Sequence, residues 1–282
     1  MSCVAFVTLL IVGLEPQWRD DACDRPFSSE DNFLVCDRQR TEGKAWAESL
    51  ATVICNESER QSIPRDWVTA DIHRESSFMR GDPCPFSLSQ SRVVSREVLS
   101  EEHSRERICW TRSRGNIREN CQPVIVLEED DGYLTLDRCA YGEIGLMQLR
   151  DHEFRSGTIV PSTGEALPRS LRERRELVAD PEINISLGCA TLARVRDDCC
   201  GDDEECRADP TKWLGAYNTG RCDGSSSTRY VRNVNSSRVK GLEYACEFMP
   251  DEPECRVMRG EELPTPEGEG DGDGSSTEGE GQ

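Results

Sequence analysis

The sequence predicts a mainly α-helical protein of the α+β class, in which one cysteine-containing insertion interrupts a helical core. Three observations lead to this prediction. Apolar residues recur at helical spacing in several segments, prolines stand where helices would begin, and residues 80–139 differ in character from their surroundings. Of the 282 residues, roughly 240 remain for folded structure once the two ends are set aside, which is enough for a sizeable core.

The N-terminal segment, residues 3–14 (CVAFVTLLIVGL), is apolar and uncharged. It is too short to span a bilayer and has the length of a signal-peptide hydrophobic region. No Lys or Arg precedes it and no A-x-A site follows it, so a buried N-terminal helix or strand is the alternative. We predict an export segment over residues 1–22, an extension over 23–42 and no stable membrane span.

The helices are predicted within a single folded domain over residues 43–258. In residues 44–58 one face is apolar, and a second helix begins at Pro64, where a first-turn proline is tolerated, and ends near residue 78. Three further helices are predicted, over residues 168–177, 184–195 and 210–217.

The insertion over residues 80–139 contains glycine, proline and four cysteines. Its run PVIVLEEDDGYLTLD predicts two strands around an Asp-Gly turn, which is a β-hairpin. Residues 259–282 contain eight acidic residues, one basic residue and seven glycines, so we expect a disordered acidic tail there.

Charge and cysteine content exclude two classes of protein. With 54 acidic and 34 basic residues the net charge is −20, which argues against a protein that binds the phosphates of nucleic acids. Fifteen cysteines are unusual in a reducing compartment, so an extracytoplasmic protein, periplasmic or secreted, is expected. Loss of the export segment with Cys3 would leave an even number for disulfides.

The cluster of Cys199, Cys200 and Cys206 around acidic residues has two interpretations. Metal binding is one, but the chain has three histidines only, and oxidised cysteines do not bind zinc. Disulfides are therefore preferred, and no metal site is predicted.

One glutamate stands out on the second predicted helix. Val68, Ile72 and Glu75 are spaced so that the carboxyl shares the apolar stripe. Partial removal from water raises the pKa of a carboxyl, and a carboxyl that keeps its proton near neutral pH can act as a general acid. A lone glutamate on a helix is nevertheless usually solvated or ion-paired.

The hypothesis that Glu75 is a general acid is strengthened by five sequence blocks that follow one another along the chain: IPRDWVTADIHRESSFM, YGEIGLMQL, PEINISLGCATLARV, WLGAYNTG and RYVRNV. Together, from about Trp46 to Val234, they resemble the SLT-type lytic transglycosylase domain, which shares its lysozyme-like fold with the goose-type lysozymes. The resemblance implies that Glu75 is the catalytic acid and that Asn184 and Gly188 belong to a helix behind the site. It also implies a substrate-binding set: Ser76, Met147, Gln148, Tyr217, Asn218 and Tyr230.

The resemblance further implies a reaction with one carboxyl. Glu75 would protonate the glycosidic oxygen between N-acetylmuramic acid and N-acetylglucosamine in peptidoglycan glycan strands, and would then take the proton of the 6-hydroxyl as a 1,6-anhydro ring closes. No cofactor is required, and protein partners are not indicated. A hydrolase of the goose-lysozyme type and a catalytically inactive wall-binding scaffold are the alternatives.

Two departures from the family pattern bear on this reading. Glu75 and Gly145 are separated by the insertion, which either shapes the cleft or is a surface embellishment. Glu143 stands where a small residue is usual, so it is a candidate second carboxylate that would orient water for hydrolysis.

Overall fold

A computed structural model describes residues 2–24, 30–78, 85–90, 93–100, 105–111, 119–130, 132–137, 144–222 and 227–261. The mainly α-helical prediction is confirmed. The helices in these ranges are α1 (Cys3–Leu14), α2 (Glu30–Gln61), α3 (Arg65–Ser76), α4 (Leu171–Val178), α5 (Pro181–Cys200), α6 (Glu204–Ala208), α7 (Pro210–Trp213), α8 (Gly215–Thr219), α9 (Ser227–Phe248) and α10 (Pro253–Met258).

The insertion forms a larger sheet than the predicted hairpin. Its strands are β1 (Pro85–Ser89), β2 (Val93–Ser100), β3 (Arg105–Thr111), β4 (Glu119–Asp130) and β5 (Tyr133–Asp137). They pair antiparallel in the order β1-β5-β4-β3-β2. The predicted hairpin corresponds to β4 and β5, with Gly132 at φ 85° in the turn.

The strands β1 to β3 escaped prediction because their sequences are polar on one face and contain no long apolar run. The sheet has a small core of its own, separate from the helical core: Ile108, Trp110, Val124 and Leu134.

The helical core forms where α1, α2, α3, α5 and α9 pack against one another. The N-terminal segment is part of it, since Val7 and Ile11 of α1 are fully buried. Glycines allow α1 and α9 to approach closely: a Cβ atom at Gly13 would lie 2.7 Å from the Cβ atom of Tyr244. These contacts are those expected of a buried N-terminal helix, and an export role for the segment stays a prediction.

α2 is longer than the predicted helix over 44–58. It begins at Glu30, so most of the segment predicted as an extension over 23–42 belongs to this helix. The polar composition of this part hid its helical character. A disulfide from Cys36 to Cys23 ties its first half to the preceding segment.

Disulfides staple the helices, as the cysteine content predicted. The pairs with both partners described are Cys3–Cys55, Cys23–Cys36, Cys199–Cys222, Cys200–Cys206 and Cys246–Cys255. The disulfide interpretation of the Cys199–Cys206 cluster is confirmed. One expectation is corrected: Cys3 has a partner, and the free thiol among the described residues is the buried Cys189 of α5.

None of the helices described is long and apolar enough to cross a bilayer. The predicted acidic tail lies almost entirely outside the described residues and stays a prediction.

Candidate active site

Helix α3 carries Glu75 in its last turn. Ion pairs hold this helix against the C-terminal part of the chain: Arg65 contacts Glu252 at 2.7 Å, and the buried Asp66 pairs with Arg238 of α9. The helix ends abruptly after the glutamate, because Ser77 adopts the left-handed conformation at φ 53°. Its buried side and sharp end direct the partly exposed Glu75 toward a pocket.

A tight turn over residues 144–149 supplies the opposite wall. Backbone hydrogen bonds close it, with Ile144 N donating to Leu149 O at 2.8 Å and Leu149 N donating to Ile144 O at 3.0 Å. Within it Gly145 and Gln148 have positive φ angles of 68° and 49°. A non-glycine residue in this region is strained, and such strain is frequent at functional sites. The turn presents Gln148 to the pocket.

Asn184 of α5 organises this turn from behind. Its fully buried amide donates to Ile144 O (2.9 Å) and Val178 O (3.0 Å), and its Oδ1 accepts from Met147 N (2.7 Å). A side chain at Gly145 would collide with this amide. The turn residues 145–148 (GLMQ) and the helix residues 184–188 (NISLG) therefore form one buried hydrogen-bonded unit.

The pocket between these elements has a volume of about 220 Å³. Four predicted site residues meet there, namely Glu75, Gln148, Tyr217 and Asn218. The sequence reading missed other residues that line it: Arg150, His152, Glu153, Thr191, Arg194 and Val195. Neutral amides and a phenol beside the Glu75 carboxyl suit the hydroxyl and acetamido groups of a sugar.

Two tyrosines complete the site. Tyr217 of α8 donates its phenol hydrogen to Met147 O at 2.7 Å, which joins α8 to the turn. Tyr230 of α9 is buried, and its Oη lies 2.5 Å from Oε1 of Glu75. Burial, more than the nearby carboxylates, raises the pKa of both phenols well above the ordinary value, so both stay neutral hydrogen-bond donors.

Asp71 is a site residue that the sequence reading missed. It lies one helical turn before Glu75, is fully buried, and its Oδ1 is 2.5 Å from Oη of Tyr230. Burial, followed by the charge of Glu75, raises the pKa of Asp71 to about 8, although the hydrogen bond from Tyr230 opposes this. Its spacing from Val68 and Glu75 places it on the same stripe, a signal that could have identified it.

The described Met147 and Ser76 do not line the pocket. Met147 is fully buried and packs against Gly188, so its side chain supports the turn from behind. Ser76 is buried, and its hydroxyl donates to Ile72 O at 3.1 Å, within its own helix. Glu143 lies outside the described residues.

The comparison with known families agrees with this architecture. Residues 138–239 match the family model of the transglycosylase SLT domain. The matched segment contains the turn, α5, both tyrosines and Asn218, whereas Glu75 lies upstream of it, beyond the inserted sheet. No curated protein and no solved structure gives a significant match.

Proposed function

We propose that this chain, which contains an SLT-type transglycosylase domain, is a peptidoglycan lytic transglycosylase with Glu75 as its catalytic acid and base. One observation carries the proposal. The fold brings Glu75 into one pocket with Gln148, Tyr217 and Asn218, although the inserted sheet separates the glutamate from the other three in the sequence.

The reaction begins with proton transfer from Glu75 to the glycosidic oxygen that leaves with N-acetylglucosamine. The bond between that oxygen and C1 of N-acetylmuramic acid breaks, while the 2-acetamido group of the same sugar stabilises C1. The Glu75 carboxylate then accepts the proton of the 6-hydroxyl, and the bond from O6 to C1 closes the anhydro ring. Glu75 ends with its proton restored, and no water is consumed.

A hydrolytic route would depend on a second carboxylate. A hydrolase of the inverting type requires one that activates water across the bond. Asp71 is fully buried beside Glu75, on the same helix. Glu153 lines the pocket and is the described carboxylate on which a hydrolytic mechanism would depend; its Oε2 accepts a hydrogen bond from Arg150 N at 2.6 Å.

Product analysis tests the proposal. Purified peptidoglycan is digested with the wild type and the muropeptides are measured by mass spectrometry. Anhydro ends, about 18 Da lighter than the reducing ends left by hydrolysis, support the transglycosylase. Reducing ends would instead show a muramidase, and an intact sacculus would show a scaffold without activity.

Two variants assign the residues in the same assay. Glu75→Gln should abolish both kinds of product, with a fall of about 10²-fold or more. Glu153→Gln is the matched carboxyl control and should still yield anhydro ends. Full activity in Glu75→Gln would refute the assignment of the acid.

We infer that the enzyme acts outside the cytoplasm. Its substrate class is located there, and five disulfides connect described segments of the domain. Such bonds form and persist in oxidising compartments. Fractionation of the native host, with the protein detected by antibody, checks this placement.

A further inference from the structure

A three-membered chain of acidic groups lies behind the pocket. Oη of Tyr230 is 2.5 Å from Oδ1 of Asp71 and 2.5 Å from Oε1 of Glu75. Asp71 has no solvent exposure, and its Oδ2 has no hydrogen-bond partner. Glu75 alone of the three lines the pocket, so the chain connects the interior of the domain to the reacting group.

The number of hydrogens limits how both contacts can be hydrogen bonds. A phenol has one O–H and can donate it fully to one carboxylate only. Both contacts are satisfied when one carboxyl, either Asp71 or Glu75, is protonated and donates its hydrogen to the phenol oxygen.

The surroundings of Asp71 keep this proton in the chain. The titratable groups that face it are Glu75 on its own helix, Tyr230 on α9, Tyr217 on α8 and Cys189 on α5. None of these groups is a cation in any protonation state, and no cation in the described part of the chain is among the groups that perturb Asp71. Two negative charges at this site would repel each other in a buried environment, as in carboxyl pairs that share one proton.

We propose that Asp71 is a positioning residue that shares one proton with Glu75 through Tyr230 and so keeps Glu75 protonated. The proposal rests on the proposed function. When the proton moves, the O–H bond of Asp71 breaks as the phenol oxygen accepts it, and the original phenol O–H breaks as Glu75 accepts that hydrogen. One proton passes from Asp71 to Glu75, and Tyr230 is neutral before and after.

The first test is the pH profile of kcat/KM for anhydro-product formation in the wild type and in Asp71→Asn. Asparagine retains the hydrogen-bonding capacity but removes the second titrating group. In Asp71→Asn we expect the alkaline limb of the profile to move to lower pH by about one unit or more, so that kcat/KM on that limb falls about tenfold below the wild-type value. At acidic pH, kcat/KM of the variant should stay within about threefold of the wild type. An unmoved limb, or a shift to higher pH, refutes the proposal.

A matched control separates proton sharing from a general effect of buried charge. Glu57 of α2 is a buried carboxyl that pairs with Arg60. Burial raises the pKa of Glu57 as well. Glu57→Gln should leave the limb in place, and a shift equal to that of Asp71→Asn would overturn the proposal. Asp71→Asn should also shift the limb much less in a Tyr230→Phe background, because the connecting phenol is gone.

Infrared difference spectroscopy tests the shared proton without using activity. The carbonyl band of a protonated carboxyl should be present at neutral pH in the wild type and should persist in Glu75→Gln, where only Asp71 of the pair remains. Its absence from Glu75→Gln refutes the proposal even if Asp71→Asn does not fold. If the wild type forms no anhydro ends, the proposed function fails, but the infrared band still shows whether Asp71 holds a proton. If the wild type forms anhydro ends and the alkaline limb does not move in Asp71→Asn, only the proton-sharing inference fails.

Discussion

Replacement of Asp71 by asparagine should make the protein less sensitive to alkaline pH. Burial raises the pKa of this carboxyl to about 8 in the folded state, whereas the unfolded chain releases the proton near the ordinary aspartate value of 3.8. The stabilising contribution of this group is therefore complete below the unfolded value and is lost as pH rises toward about 8. Asparagine cannot titrate, so the variant should show no such loss.

The size of the effect follows from the proton linkage. Each pH unit between the two values costs about 1.4 kcal/mol of unfolding free energy. From about pH 6 to about pH 8 the wild type should lose roughly 2–3 kcal/mol relative to the variant. For a domain of this size that corresponds to a relative shift in Tm of roughly 5–10 °C.

Thermal unfolding followed by circular dichroism, at several pH values in this range, measures the difference. Glu48→Gln, which removes an exposed carboxyl of α2, is the control and should follow the wild type. Parallel Tm curves for the wild type and Asp71→Asn would refute the reasoning, since they would show that the buried carboxyl does not retain its proton.

Three further predictions concern the framework of the site. Asn184→Ala removes the amide that bonds to three backbone groups and should lower stability by about 2–4 kcal/mol, measured by urea unfolding, with loss of cleavage activity; an unaffected midpoint would contradict the role of this amide. Gly188→Ala places a methyl group against Met147 and should cost about 1–3 kcal/mol in the same assay, whereas an unchanged Tm would show that the turn can adjust. Cys3→Ser removes a disulfide between α1 and α2 and should destabilise the oxidised chain by about 2–4 kcal/mol, with equal stability under reducing conditions; equal stability when oxidised would argue against this bond.

The position of Glu75 could be predicted from the sequence because helical periodicity is local. Its spacing from Val68 and Ile72 determines which side of the helix it shares, whatever the helix packs against. Asp71 lies on the same stripe but was not predicted, because a carboxyl on an apolar stripe has no evident role until its partner is known. That partner, Tyr230, is separated from it by 159 residues along the chain.

The positions of Met147 and Ser76 could not be predicted from the sequence pattern. Both stand in blocks that belong to the site, but burial decides which member of a block faces the pocket. The left-handed backbone at Gln148 directs that side chain to the cleft, while Met147 packs against Gly188. The five-stranded sheet was underestimated because β1 to β3 contain no long apolar run, and because β1 pairs with β5, which is distant in sequence.

Composition and short-range spacing were enough to predict the mainly helical class and the disulfide-rich character, because a chain displays these properties without folding. The resemblance to the SLT family indicated Glu75 and the blocks around the cleft. The packing of α1 into the core, the hold of Asn184 on the turn and the contacts of Tyr230 with Asp71 and Glu75 became visible in the tertiary structure. Burial and proton sharing are properties of groups brought together from distant segments, so no local pattern specifies them.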